Sequence, residues 1–364
     1  MLLRPDTSER LAEALREAAS RGGVELGGAF TKRAMGGPVA PAETTISTAC
    51  LNRVLQYEPR DLTISVEAGL PYAELTRILA GQRQMLPLDP PFADSATVGG
   101  VVAANCSGPR RRAYGTARDL VIGMKFATTA GKLVQSGGMV VKNVAGLDMA
   151  KLMVGSFGTL AAIAVVNFKV LPEPQGTRTF ALAFDSGAEA AAARDRILDS
   201  VLQPVAIDAL NPAAAARVGL APAFTLVVQG AGNAAVLDRF SRAPIDERVW
   251  REVREFTPAF LAAHPEGAVV RVSHTLSATG AILESTEGPV VSRAGSGVSC
   301  CYFEDAGRVR EAKGKRVVEY APPEKKSALD LWPEPGNDLD LMRRVKRFFD
   351  PAGVLNVGRL YGRI

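Results

Sequence analysis

The spacing of apolar residues in the first half of the chain predicts alternating helices and strands. Leu11, Ala14, Leu15 and Ala18 lie at helical spacing after possible capping residues, which predicts an N-terminal helix. Further helices are predicted at residues 72–79 and 148–153. Two-residue alternation and β-branched side chains predict strands at residues 24–27, 44–48, 62–67, 120–128, 132–135 and 163–170.

The second half has a different pattern, in which long loops separate strands from helices. Strands are predicted at residues 178–185, 205–210, 224–229, 269–273, 297–303 and 317–320, and helices at residues 188–202 and 234–242. This pattern favours an antiparallel sheet backed by helices. Prolines at 172 and 174 mark a boundary, so we divide the chain into domains at residues 1–173, 174–326 and 327–364.

A final amphipathic helix is predicted between residues 339 and 349, where apolar side chains recur at helical spacing. Arg343, Arg344 and Arg347 would face outward from it. We expect Phe348 and Phe349 to pack against the first domain.

A stretch rich in glycine and small residues lies between residues 94 and 115, DSATVGGVVAANCSGPRRRAYG. Glycine lets a backbone approach a ligand closely, and successive inward N–H groups form a concavity that suits a pyrophosphate. The small side chains that follow leave room for a flat ring. The alternative is a glycine-rich loop of no special purpose. Residues 28–32, GAFTK, form a second candidate phosphate cradle, for which a plain turn is the alternative.

Composition and charge narrow the class of protein. Hydrophobic residues make up 47% of the chain and charged residues 22%, as in a globular protein. The net charge is +5, and its densest basic runs, residues 110–112 and 343–344, are too short to indicate nucleic-acid binding. The four cysteines show neither metal-ligand spacing nor a disulfide framework. Without a signal-peptide core or a run of transmembrane length, we expect a cytoplasmic protein that meets the inner membrane only through partners.

The order of these motifs resembles the FAD-binding domain of the vanillyl-alcohol-oxidase-type, or PCMH-type, flavoproteins. Within that family the chain resembles the GlcE-type FAD-binding subunits of bacterial glycolate oxidases. The resemblance is carried by four motifs, which are RQMLPLDPP at 83–91, GPRRRAYG at 108–115, VVKNVAGLDMAKLMVGSFGTL at 140–160 and DPAGVLNVGRL at 350–360.

The resemblance implies an α+β fold, in which FAD lies between two α+β subdomains of a PCMH-type domain at residues 1–173. An antiparallel-sheet-and-helix cap domain at 174–326 would admit substrate, and residues 327–364 would return to the FAD domain. The implied pyrophosphate contacts are Gly27, Gly28, Ala29, Phe30, Thr31, Lys32, Thr97, Val98, Gly99 and Gly100. Those near the isoalloxazine are Asn105, Ser107 and Gly108, and those at the adenosine end are Gly158, Ala162 and Ile163. Asn356 either approaches the flavin ring or belongs to a turn after residues 350–353.

The chain departs from the family pattern at several positions. The turn GGAFTK lacks the histidine that binds flavin covalently in relatives, so we expect FAD to be held non-covalently. Cys106 could be a covalent anchor, but a small buried thiol is the preferred interpretation. Leu147 stands where GlcE-type motifs usually have Tyr, and Phe157 where many relatives have Glu. Both changes remove polar groups near the cofactor.

A histidine-rich metal loop, found in related 2-hydroxy-acid dehydrogenases, is also missing from the sequence. His264 and His274 are interpreted as surface or hydrogen-bonded histidines, and no metal site is expected. No catalytic residue is identified. Arg111, within a cluster that could orient a substrate carboxylate or simply be solvated, and Lys142 are the candidates.

The resemblance implies one of two functions. The first is an FAD-binding subunit of a glycolate (2-hydroxy-acid) oxidase or dehydrogenase, in which hydride passes from the acid to the flavin. Electrons would then pass to an iron–sulfur subunit. The second is a flavin-loaded relay or assembly subunit that supports a catalytic sister flavoprotein. The missing histidine loop favours the second.

Overall fold

The computed structural model describes residues 1–140, 147–240, 242–312 and 314–362. Its N-terminal part is a small parallel sheet in the order β1-β3-β2, covered by one helix. The elements are β1 (Leu2–Leu3), α1 (Ser8–Arg21), β2 (Val24–Gly27) and β3 (Thr44–Ser47). Thr7 caps α1 by accepting a hydrogen bond from the N–H of Arg10. The apolar stripe of α1 is buried against this sheet and β9 of the next one.

A second sheet has five antiparallel strands in the order β4-β5-β9-β7-β8. Its strands, with the short pair β6 and β10, are β4 (Val54–Glu58), β5 (Thr63–Glu67), β6 (Gln84–Met85), β7 (Val121–Ala127), β8 (Leu133–Gly137), β9 (Ala162–Lys169) and β10 (Leu171–Pro172). The accompanying helices are α2 (Tyr72–Ala80), α3 (Val98–Ala104), α4 (Arg111–Tyr114), α5 (Ala117–Leu120) and α6 (Ala150–Met153). Apolar residues from α2, α3 and the sheet share one core.

The largest sheet has seven antiparallel strands in the order β11-β13-β12-β15-β16-β14-β17. Its strands are β11 (Gly176–Phe184), β12 (Ala206–Leu210), β13 (Phe224–Gly232), β14 (Ala268–Ser273), β15 (Val290–Arg293), β16 (Val298–Phe303) and β17 (Lys315–Tyr320). The helices are α7 (Gly187–Leu198), α8 (Pro212–Arg217), α9 (Ala234–Asp238), α10 (Glu247–Arg254), α11 (Phe256–Ala263) and α12 (Thr279–Leu283). Two apolar clusters, each including residues of this sheet, bury its strands.

The chain then returns to the first sheet. After α13 (Asp338–Phe349), the N–H of Val24 donates to the carbonyl of Val354 at 2.9 Å. The N–H of Asn356 donates back to the carbonyl of Val24 at 2.9 Å. The ammonium of Lys346 is buried and contacts Asp350 at 2.7 Å, which fixes the turn between α13 and these contacts. The segment after residue 350 therefore completes the edge of the N-terminal unit.

The predicted α+β class is confirmed, as are most of the predicted strands. Among the elements that were missed are the strands β4 and β15 and the helices α8, α10, α11 and α12, and α7 and α9 end earlier than predicted. The expectation for Phe348 is wrong, because its side chain is 77% exposed while that of Phe349 is buried. The domain limits at 173 and 326 stay a prediction.

The glycine-rich stretch at residues 94–115 is not the loop that the sequence suggested. Residues 98–104 form the helix α3, capped by the hydroxyl of Thr97, which accepts from the N–H of Gly100. Neither Gly99 nor Gly100 has a positive φ. A Cβ on Gly99 would lie 2.7 Å from the Cβ of Ala68, so glycine here allows close packing instead of an unusual backbone.

Candidate functional site

A cavity of about 90 Å³ lies beside the turn that follows β2, and we call it the loop cavity. Its walls are this turn, the start of α3 and the turn before β9. Phe30 has φ +56°, a left-handed conformation that bends the chain around the cavity. The predicted cofactor residues that line it are Gly27, Gly28, Ala29, Phe30, Thr31, Lys32, Thr97, Gly99, Gly100, Gly158 and Ile163.

The loop cavity has the chemistry of an anion site. In the described structure, the backbone N–H groups of residues 29–32 donate to no protein acceptor. Lys32 is 7% exposed, and its ammonium lies 3.5 Å from the hydroxyl of Thr31 without a described carboxylate partner. Burial lowers the pKa of Lys32. Unpaired donors and a buried cation at one turn suit a diphosphate, which would satisfy both.

Two buried cations, Arg359 and Lys326, donate hydrogen bonds to the backbone carbonyls of this turn and of the residues that follow it, and Arg359 also lines the loop cavity. One guanidinium nitrogen of Arg359 donates to the carbonyls of Arg33 at 2.7 Å and Met35 at 2.6 Å, and the other lies 3.3 Å from that of Lys32. The ammonium of Lys326 donates to the carbonyls of Ala34, at 2.8 Å, and Gly36. Because these carbonyls accept hydrogen bonds from Arg359 and Lys326, the conformation of the turn is stabilised.

A second cavity of about 330 Å³ adjoins the first, and both are lined by Ala104 and Phe157. We call it the arginine cavity, because its walls carry Arg111, Arg254, Arg271 and Arg293. One wall is the end of α3 and the residues after it, and the opposite wall is the seven-stranded sheet. The cavity therefore lies between two domains, a common place for ligand sites.

The register of the large sheet places the charged groups of this wall together. Arg271 pairs with both Cys300 and Val317, and Arg293 pairs with Val298. Side chains two residues apart in a strand share a face. The paired positions and Glu319, two residues after Val317, therefore project from the same face of the sheet, into the arginine cavity.

The ion pairs in this cavity differ in how completely they satisfy each arginine. The buried carboxylate of Asp208 holds Arg293, and burial raises the pKa of Asp208 to about 6. Arg271 lies 3.5 Å from Glu319. The side chain of Arg111 has no ion pair or hydrogen bond within the described part of the chain, and burial together with Arg271 and Arg293 lowers its pKa. A cation in this position attracts an anionic ligand.

The other residues that were predicted to contact the cofactor either line the arginine cavity or line neither cavity. Asn105, Ser107 and Gly108 line the arginine cavity. Val98, Ala162 and Asn356 line neither cavity. The side-chain oxygen of Asn356 accepts a hydrogen bond from the N–H of Leu26 at 2.7 Å. Its side-chain nitrogen donates to the carbonyls of Leu26 at 3.0 Å and of Phe157 at 2.7 Å. Asn356 thus joins the two turns that flank the loop cavity.

Several of the remaining candidates lie elsewhere. Lys142 lies outside the described residues. Arg110 forms a bidentate pair with Asp89, at 2.6 and 2.8 Å. His264 contacts Glu304 at 3.7 Å, and His274 contacts Ser299 at 2.7 Å, so neither reaches the arginine cavity. Leu147 is 83% exposed, whereas Phe157 lies between the two cavities.

Sequence reasoning missed most of the charged groups of the sheet wall. Arg271 is a charged residue inside a largely apolar strand, Arg293 ends β15, and Glu319 lies near the end of β17. A charge at a position that the alternation assigns to the interior was the available signal. Arg359 and Lys326, which hydrogen-bond to the turn, gave no such signal because Arg359 lies in a turn and Lys326 in a short 3-10 helix.

Comparison with known proteins identifies the class of this site. Residues 1–137 match the protein family described as FAD binding domain, so the N-terminal part of the chain is an FAD-binding domain. The structure superposes on solved alkyldihydroxyacetonephosphate synthase with a TM-score of 0.73 at 18% identity, over 98% of this chain and 75% of that one. This likeness confirms the predicted α+β fold.

Closer sequence relatives are glycolate oxidase subunits. The chain is 36% identical to the glycolate oxidase subunit GlcE of Escherichia coli, over 58% of this chain and 59% of that subunit. It is 29% identical to the glycolate oxidase subunit GlcD of Bacillus subtilis, over 44% of this chain and 34% of that subunit. The resemblance to GlcE-type FAD-binding subunits is confirmed, although the matches span less than two thirds of each relative.

FAD fits the two cavities. The unpaired N–H groups and Lys32 match a diphosphate, and the open space in front of Gly100 would be filled by a side chain. The arginine cavity continues past Ala104 toward Asn105 and Ser107 and can take a ring system. In the described parts of the chain, no cluster of three or more His, Cys, Asp or Glu has metal-binding geometry, and no helix is both long and apolar enough to cross a membrane.

Acid or heat denaturation is expected to release all FAD from the purified chain. The turn at residues 27–32 has no nucleophile for a covalent flavin bond other than Thr31 and a buried lysine. Cys106 is buried, lies 3.9 Å from the sulfur of Met35, and has a pKa raised by burial to about 12. It is therefore a protonated thiol. Flavin absorbance in the supernatant and pellet measures the release, and a Cys106→Ser variant should behave identically. Flavin that stays with the precipitated wild-type chain would contradict this expectation.

Proposed function

We propose that this chain is the FAD-binding subunit of an oxidase or dehydrogenase for glycolate or a related 2-hydroxy acid. The observation that supports the proposal is the arginine cavity, which adjoins the loop cavity and contains Arg111, whose guanidinium is unpaired among the described residues. A 2-hydroxy acid is small and anionic, and it carries its reacting hydrogen next to the carboxylate. A carboxylate held by arginines would place that hydrogen near the cofactor.

Residues of α4 and of the seven-stranded sheet would both contribute to binding the acid. Arg111 would form charge-assisted hydrogen bonds to the substrate carboxylate, because no described carboxylate lies within ion-pair distance of its guanidinium. Arg271 and Arg293 add positive charge from the opposite wall. Asp208 fixes Arg293 from behind, so the guanidinium cannot turn away from the cavity.

The protein positions the cofactor while the cofactor supplies the redox chemistry. FAD, when bound, accepts a hydride from the carbon that carries the hydroxyl group. The turn at residues 27–32 would hold its diphosphate. Asn105, Ser107 and Gly108 would form the wall beside the ring, with Phe157 between the two cavities. The electrons would then leave to an iron–sulfur subunit of a complex that includes a sister flavoprotein.

A relay or assembly subunit is the second candidate function. It is favoured by one observation, which is that neither His264 nor His274 reaches the arginine cavity. In that arrangement the sister flavoprotein would oxidise the acid, and this chain would carry electrons or stabilise the complex.

Anaerobic mixing of the FAD-loaded chain with glycolate or D-lactate is expected to bleach the flavin. An Arg111→Met variant should need roughly 10- to 100-fold more acid for half-maximal bleaching, because it loses charge-assisted hydrogen bonds to the carboxylate. Stopped-flow absorbance measures both values. Arg112→Met is the matched control, since Arg112 is exposed and outside the cavity lining.

Two results would count against the first function. Bleaching that occurs only after the sister flavoprotein is added would favour the relay subunit. If Arg111→Met and Arg112→Met both behave like the wild type, the acid does not bind where we propose.

A further inference from the structure

The arginine cavity contains two carboxylates among its described lining residues, Asp89 and Glu319. They differ in how far their oxygens are occupied. Asp89 receives two hydrogen bonds from the guanidinium of Arg110, at 2.6 and 2.8 Å. Although burial opposes ionisation, Arg110 lowers the pKa of Asp89 below its usual value. Asp89 is therefore an ionised carboxylate that is already saturated with donors.

Glu319 is in the opposite situation. Its nearest ionic contact is the guanidinium of Arg271 at 3.5 Å, which is longer than a charge-assisted hydrogen bond. No hydrogen bond to its carboxylate oxygens is found in the described structure. The side chain is 20% exposed and faces the cavity. One carboxylate thus remains free to accept a proton.

The position of Glu319 relative to the FAD-binding domain is fixed by its backbone. The N–H of Gly36, in the segment that follows the phosphate turn, donates to the carbonyl of Glu319 at 2.9 Å. The neighbouring Tyr320 forms a bridge with Met35. Although Glu319 belongs to the cap sheet, it is therefore tied to the turn that would hold the cofactor.

We propose that Glu319 accepts the proton of the substrate hydroxyl during oxidation of the 2-hydroxy acid. The inference rests on the function proposed above. The O–H bond breaks and its proton moves to a Glu319 carboxylate oxygen, while the C–H bond breaks and its hydrogen leaves with the electron pair to FAD. The electrons of the O–H bond form the second carbon–oxygen bond, which yields the 2-oxo acid. The acid is oxidised and the cofactor reduced by two electrons.

The surroundings of Glu319 suit a proton acceptor. Burial raises its pKa, and the facing cations Arg271, Arg293 and Arg111 limit the rise. A base is most effective when its pKa is close to the working pH. A carboxylate in water is too weakly basic for this, so the raised pKa favours proton transfer.

Other nearby groups are less suitable acceptors. Burial raises the pKa of both Cys106 and Cys300 to about 12, so these thiols keep their protons. The hydroxyl of Tyr320 donates to the sulfur of Met35, and burial raises its pKa well above the usual value. Both histidines lie outside the cavity lining. Within the described lining, Glu319 is the acceptor that remains.

The test compares Glu319→Gln and Glu319→Asp with wild type and with Glu324→Gln, an exposed glutamate outside the cavity. Flavin reduction by glycolate or D-lactate is followed anaerobically across pH. Oxalate, which has carboxylates but no hydride to transfer, is titrated against the flavin spectrum. We expect Glu319→Gln to slow reduction by about 10²- to 10⁴-fold and to lose the rise of rate with pH, with oxalate affinity and FAD content unchanged. Glu319→Asp should keep the pH rise at an intermediate rate.

Each other outcome overturns the inference in a recognisable way. If the flavin of the Glu319→Gln variant is reduced at the wild-type rate, Glu319 does not accept the proton. If only the KM and the oxalate affinity of this variant change, Glu319 merely positions Arg271. If the Glu319→Gln variant loses FAD, the Glu319→Asp variant is used for the test instead. A rate of flavin reduction that does not change with pH in Glu319→Asp then contradicts the proposal. If the wild-type flavin is not reduced by any 2-hydroxy acid, the proposed function itself fails.

Discussion

Replacing Gly100 with valine is expected to abolish FAD binding and leave a folded, colourless protein. A Cβ at this position would meet the hydroxyl oxygen of Thr97 at 3.2 Å and otherwise point into open space. That space belongs to the loop cavity. The branched side chain would therefore occupy the volume needed by the diphosphate without disturbing the surrounding strands. We expect FAD affinity to fall by roughly 100-fold or more, equivalent to about 2.7 kcal/mol.

The expected effect comes from the loss of space for the cofactor. Gly100 is helical and its φ is not positive, so backbone strain does not contribute. Flavin absorbance after gel filtration measures the bound cofactor, and circular dichroism measures the fold. The control is Gly138→Val, because a Cβ on Gly138 meets nothing within 4 Å and Gly138 lines neither cavity. The thermal midpoint of Gly100→Val should equal that of the wild-type apoprotein. A yellow variant with stoichiometric FAD would place the diphosphate elsewhere.

Replacing Arg359 with methionine should both destabilise the chain and weaken FAD binding. The guanidinium is 8% exposed and supports the carbonyls of Lys32, Arg33 and Met35. Burial lowers the pKa of Arg359 to about 10, so it is still charged at neutral pH. Methionine has a similar length but donates no hydrogen bonds, which leaves buried carbonyls unsatisfied. We expect the free energy of unfolding to fall by about 2–5 kcal/mol.

Denaturant unfolding of the apoprotein measures the stability term separately from the cofactor. Arg344→Met is the matched control, since Arg344 is exposed on α13 and the chemical change is the same. FAD affinity should fall as well, because the turn that carries the unpaired N–H groups loses its support. If Arg359→Met matches Arg344→Met in stability and in FAD affinity, the hydrogen bonds from Arg359 to the turn have no energetic role.

Local motifs in the sequence were enough to point to most of the residues that line the loop cavity. The turn at residues 27–32 follows directly from a strand, and the same short segment contains its glycines and its lysine. Part of the glycine-rich stretch at 94–115 lines the two cavities, but its residues 98–104 form a helix that the sequence did not predict. Two glycines lower helix propensity, whereas the cap by Thr97 and close packing on Ala68 stabilise the helix in the folded chain.

The sheet wall could not be assembled in the same way. Arg271, Arg293 and Glu319 belong to different strands, and they share a face only because of the order β15-β16-β14-β17 and its register. A single sequence contains the alternation within each strand but not the pairing between strands. The sequence therefore suggested a site without a base, whereas the fold brings a carboxylate to the cavity.

The support that Arg359 gives to the turn at residues 27–32 also affects when the cofactor site can form during synthesis of the chain. Arg359 follows Lys32 by 327 positions. A ribosome that adds about 5–20 residues per second needs roughly 15–65 s to cover that distance. During this interval the carbonyls of the turn lack their cationic support, and Asn356 has not yet joined the turn to the one at Phe157. We therefore expect loading of the cofactor to be a late step of biosynthesis, with the site incomplete in a nascent chain halted before residue 359.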